Sequence, residues 1–216
     1  MMHDAHNHQR NADGSNGLNQ TPPSSRTVPI GVSNRHIHLS QQDLDVLFGP
    51  GYMLHVLRPL SQPGQFAAEE TVTVVGPKGE IHRVRVLGPV RSASQIELSR
   101  TDTYMLGIDA PLRLSGDIKG TPGARVIGPK GQMILERGVI VAKRHIHMHP
   151  DDARRFEVHD HEVVRVLVGT PGERRVIFDD VIVRVHSTFA LDFHIDVDEA
   201  NAAGVKTGDV GEILLS

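Results

Sequence analysis

Arg35-His36-Ile37-His38 and Arg144-His145-Ile146-His147 place two imidazoles around an isoleucine, twice, about half the chain apart. In a strand, residues i and i+2 share a face at roughly 6–7 Å. Each pair can therefore grip one metal ion while the isoleucine turns into the core. His149 adds a third imidazole to the second run if that strand persists. A histidine-rich surface strand is the plainer explanation for a single run, and the matched repetition argues against it for both. The chain has no cysteine, so a tightly bound transition metal must use histidine, carboxylate and water. That set suits zinc and also nickel, cobalt or iron.

Other side chains could complete such sites. Gln95, Glu97 and Ser99 alternate with Ile96 and Leu98, giving a strand one polar face. Glu97 could join a histidine pair, but the pattern alone fits an ordinary solvent-facing residue at least as well. His194, between Phe193 and Ile195, can face a cleft while its neighbours face the core, although a lone histidine is more often structural. Arg91 has the forked donors that hold an oxyanion, and isolated arginines are usually surface residues. His55, His82, His159, His161 and His186 have no repeated context and read as surface residues. Lys119, Lys130 and Lys143 lie near turns, where lysines are normally solvated.

The elements that must position these groups are short strands. The chain has 216 residues, 4% aromatics and no tryptophan, so its core rests on Val, Ile and Leu, which favours sheet. Val72–Val75 and Ile81–Val86 flank Gly76-Pro77-Lys78-Gly79, a hairpin signal that recurs at Gly128-Pro129-Lys130-Gly131 and, varied, at Gly169-Thr170-Pro171-Gly172. Helix starts follow both histidine runs, at Ser40 and at His149-Pro150, and a short helix with a glycine stop follows Asp196. Residues 1–26 are polar and read as a disordered tail. The predicted fold is mainly β: two related β-barrel units capped by short helices, from an internal duplication, with the metal site between them. Net charge is -3 with signs interspersed, which excludes an electrostatic nucleic-acid binder. No apolar run reaches the ~18–20 residues of a membrane span and no signal-peptide core is present, so a soluble cytoplasmic protein is expected.

Five segments in this order resemble the PduL-type phosphate acyltransferases. They are Ser33–Ser40, Arg91–Ser99, Leu114–Gly131, Ala142–Met148 and His194–Gly204, and together they span nearly the whole chain after the tail. That family converts acyl-CoA plus phosphate to acyl phosphate plus CoA. The resemblance implies two zinc ions per chain, one on His36, His38 and Glu97, the other on His145, His147 and His194. His149 is a less certain ligand. It further implies CoA bound between the domains, Arg91 on the phosphate, and a homodimer in the cytoplasm or a bacterial microcompartment. The implied domains are discontinuous, 27–35 plus 140–216 against 36–139. Without the resemblance, a metal-dependent hydrolase and a non-catalytic metal-stabilised module stay open.

Overall fold

The computed structural model describes residues 26–214; the tail expected over 1–26 lies outside the described residues except for Arg26. The chain begins with β1 (Thr27–Ser33), β2 (His36–His38), α1 (Gln41–Phe48), β3 (Val56–Pro59), β4 (Phe66–Val75), β5 (Glu80–Gly88), β6 (Gln95–Leu98) and α2 (Arg100–Leu106). After it come β7 (Leu112–Arg113), β8 (Ala124–Ile127), β9 (Gln132–Leu135), β10 (Val139–Ala142), β11 (His145–Met148) and α3 (Pro150–Phe156). The last elements are β12 (Val163–Val168), β13 (Val176–Val185), β14 (Asp192–Asp196), α4 (Val197–Ala203) and β15 (Val210–Leu214). Among the described residues no helix is long and apolar enough to cross a membrane.

The architecture is mainly β with four short helices. One sheet closes as a barrel in the order β1-β14-β11-β13-β12-β15. The other is a nine-stranded, curled half-barrel whose path runs β7-β10-β6-β2-β5-β4-β8-β9, with β3 on β4. Within it, β10-β6-β2-β5-β4-β8 repeats the barrel strand for strand and direction for direction. Closure differs because β15 pairs with β1, whereas the corresponding β8 pairs with β9. The strand preceding each histidine run crosses over. β1 lies parallel to β14, and β10 lies parallel to β6. The chain thus leaves the half-barrel for the barrel after Ala142, two residues beyond the start of the span 140–216.

Local chemistry sets the helices. Ser40 caps α1 by accepting from the Asp43 amide, and Ser99 and Asp196 open α2 and α4 with reciprocal capping boxes to Asp102 and Glu199. The repeated turns close the other ends. The Lys78 amide donates to the Leu106 carbonyl of α2 at 3.0 Å, and the Lys130 amide donates to the Leu47 carbonyl of α1 at 3.0 Å, satisfying helix-end acceptors. The first glycine of each turn lets the backbones approach. A Cβ on Gly76 would lie 2.3 Å from the Leu106 carbonyl oxygen, and one on Gly128 2.5 Å from that of Leu47. Gly76→Ala is expected to destabilise by about 1–3 kcal/mol, lowering Tm by about 2–4 °C per kcal/mol; calorimetry checks this.

Two apolar cores result. Ile37 sits in the half-barrel core with Leu44, Leu47 and Ile96, and Ile146 in the barrel core with Phe156, Phe193 and Ile195. Both isoleucines between the paired histidines are fully buried.

Candidate active site

The cross-strand register assembles the site. β2 runs antiparallel to β6 with His36 opposite Glu97, and β11 runs antiparallel to β14 with His145 opposite His194. The alternation of the strands then puts His38 and His147 on the same faces. Ligand atoms of His36, His38 and Glu97 lie within 4.8 Å of one another, as do those of His145, His147 and His194. Both clusters line one cavity of about 230 Å³, together with Arg91, Ser115, Arg184 and Phe189.

His149 is not brought to either cluster. β11 ends at Met148, and His149 turns out to cap α3, its Nδ1 accepting from the Asp151 amide at 3.2 Å. Lys143 lines the cavity, and its carbonyl carries part of the site's frame. His55, His82, His159 and His161 have exposed side chains away from the clusters.

That frame is duplicated. His36 Nδ1 bonds the Asn34 carbonyl at 2.8 Å, and His145 Nδ1 bonds the Lys143 carbonyl at 2.8 Å, so Nε2 of each ring is free to face its cluster. The repeated arginines act as struts: Arg35 pairs with the buried Asp102 of α2 at 2.9 Å, and Arg144 with Glu199 of α4 at 2.9 Å. Each strut ties a histidine strand to the helix that follows the third member of the cluster. That third member has its own neighbour, one pleat earlier. Gln95 donates to Glu97 at 2.6 Å, and the buried Asp192 carboxylate lies 3.1 Å from His194 Nε2. An amide facing a carboxylate and a carboxylate facing an imidazole are the chemically matched choices. Sequence reasoning passed over Asp192, Arg184 and the struts; the arginine preceding both histidine runs was the one available signal.

Electrostatics separates the clusters. Burial, then the neighbouring His36 and Arg91, pushes His38 down to about 3. Burial and the adjacent His194 push His145 to about 4, and burial with His145 and His194 pushes His147 to about 2. These imidazoles are neutral at physiological pH, with lone pairs ready for a cation. Burial opposes charge on His36 and Glu97 as well, but their mutual attraction and hydrogen bonding prevail, raising His36 and holding Glu97 well below the usual carboxylate range. His38 Nδ1 and His147 Nδ1 are buried without a hydrogen-bond partner among the described residues, and His194 Nε2 has the Asp192 carboxylate at 3.1 Å but not in hydrogen-bonding geometry. Unsatisfied buried nitrogens are rare. In sets of three histidines, and of two histidines plus a carboxylate, they fit zinc or a similar divalent ion.

Beside the cavity opens a trough of about 900 Å³ that shares His36, Gln62 and His194 with it and is lined by Arg35, Arg58, Arg83 and Arg85. Its size suits an organic ligand. The Arg85 guanidinium is engaged by the Ala68 and Glu69 carbonyls.

A duplicated β scaffold that turns two three-residue clusters able to hold a metal and two arginines toward one cavity, with a ligand-sized trough beside it, has the form of an enzyme cleft. The phosphate propanoyltransferase family profile matches residues 29–206. A phosphate propanoyltransferase of Thermotoga maritima is 60% identical over 187 residues, covering 87% of this chain and 89% of the relative. One of Escherichia fergusonii is 53% identical over 191 residues (88% and 90%), and one of Listeria monocytogenes 51% over 187 (87% and 87%). The chain belongs to the phosphate propanoyltransferase family and with it to the acyltransferases.

Proposed function

We propose that the protein transfers the acyl group of a short-chain acyl-CoA, propanoyl-CoA or acetyl-CoA, to inorganic phosphate, at a site holding two zinc ions. The observation that carries this is the pair of buried clusters, one of two histidines and a carboxylate and one of three histidines, facing one cavity beside Arg91, in a chain with no cysteine for an acyl-enzyme. Metal bound there supplies Lewis acidity for a thioester carbonyl.

The protein's own groups do the rest. Arg91 is anchored by a 3.0 Å bond from its Nη1 to Ser115 Oγ and makes no ion pair among the described residues, so its remaining donors orient phosphate for direct attack. A phosphate oxygen forms the new bond to the acyl carbon, the carbon–sulfur bond breaks, and the electron pair leaves on the CoA thiolate. The trough receives the nucleotide of CoA, with Arg58 and Arg83 facing its phosphates. A homodimer, in the cytoplasm or inside a bacterial microcompartment, completes the proposal.

The deciding experiment compares acyl-CoA consumption with and without phosphate. Loss only with phosphate, with acyl phosphate formed, supports the transferase. Equal loss without phosphate would make the protein a hydrolase, and no loss would make it a metal-stabilised module. Asp192→Ala is expected to lower metal affinity about 10–100-fold, as removal of a ligand-orienting partner does; competition with a chromogenic chelator measures it.

A further inference from the structure

Arg184 has no place in the reading above. It lies on β13, directly across from His147 of β11 in the parallel register, and lines the cavity with Arg91, Glu97 and the barrel histidines. Its guanidinium carbon sits 5.7 Å from the Phe189 ring centroid. It makes no ion pair and donates no hydrogen bond among the described residues, although the side chain is half-buried. Holding a guanidinium in such surroundings without an anion is costly. Burial pushes its pKa down, and the more distant charges of Glu97 and Asp160 work against that.

Arg91 reaches the same cavity from the segment between β5 and β6, with one hydrogen bond to Ser115 and no ion pair among the described residues, and the charge of Arg184 works against it while that of Glu97 favours it. Each stands beside a different cluster: the charge of Arg91 weighs on His38, and that of Arg184 on His147. Two like-charged guanidiniums, one from each half of the fold, share this cavity with the Glu97 carboxylate and form no ion pair among the described residues; a dianion placed between them stabilises both together.

We infer that Arg184 is a second phosphate-binding residue, closing with Arg91 on opposite sides of the same inorganic phosphate. This rests on the acyltransferase reading. Phosphate carries close to two negative charges at neutral pH, which two forked donors match better than one. The anionic groups of CoA are the other source of phosphate chemistry, and separate Michaelis constants tell the two apart.

The test is steady-state kinetics of Arg184→Gln in the full-length protein, with metal content measured alongside. The expected result is a rise in the phosphate KM on the order of 10–100-fold, the range of a lost charge-assisted hydrogen bond, with the acyl-CoA KM and metal content unchanged. Arg184→Lys, which keeps the charge and loses the fork, is expected to fall between. An unchanged phosphate KM overturns the inference, as does a rise confined to acyl-CoA or a loss of bound metal. If Arg184→Gln does not fold, Arg184→Lys decides by the same criterion. A wild-type protein that consumes acyl-CoA without phosphate overturns the function and the inference together. A phosphate-dependent wild type with an unaffected variant overturns the inference alone.

Discussion

His145→Ala is expected to abolish phosphate-dependent acyl-CoA consumption, with a loss on the order of a thousandfold or more, comparable to or larger than removal of a key electrostatic stabiliser. On the proposed two-metal reading, one metal equivalent is expected to be lost with it and the other cluster to stay filled. The argument is geometric. His145 is one corner of a compact triangle of rings, stacked 5.1 Å from His194 and edge-on at 4.6 Å to His147, which lie 4.8 Å from each other, and its Nδ1 is already engaged by the Lys143 carbonyl. Water does not reproduce that direction of approach. The barrel itself should persist, because the core residue of this strand is Ile146. Metal analysis, circular dichroism and the rate assay together read this out. A variant with near-wild-type turnover would remove His145 from the chemistry.

Arg91→Ala gives the second largest effect and a different signature. The rate is expected to fall on the order of 10²–10³-fold, concentrated in phosphate utilisation, with metal content the same as in the unsubstituted protein. The side chain touches Ser115 rather than a cluster member, and its backbone amide keeps its bond to the Leu39 carbonyl in any variant. Loss of metal on this substitution would place Arg91 in the frame of the cluster rather than on the phosphate.

The contrast between these residues shows what a sequence can disclose. His36 and His38 share a face because strands have a period of two, a rule that needs no partner. Glu97 was ambiguous because alternation shows only that it shares a side with Gln95; its meaning comes from the register with β2, a strand far away in the chain. His194 is decided in the same way by β11. Arg184 was invisible because it alternates with valines on β13 as many surface residues do, and only the parallel pairing with β11 carries it to His147. His149 was misleading for a local reason. Pro150 starts a helix, so the strand stops before the third imidazole. The mainly β architecture followed from the turns and strand runs, but the open edge of the half-barrel depends on β9, which occupies a place that has no counterpart in the barrel.

The crossing of β1 and β10 carries a meaning for how such a chain could arise. A half that lends its first strand to its neighbour and borrows one in return has the connectivity of a strand-swapped dimer of short chains, joined by a peptide link. In a dimer of identical chains both third ligands would have to be the same residue. Once fused, the two copies are free to differ, and here they do: a glutamate stands at position 97 and a histidine at position 194. Fusion thus allows a carboxylate-bearing cluster and an all-histidine cluster to face each other across a single cleft, an asymmetry no symmetric ancestor could encode.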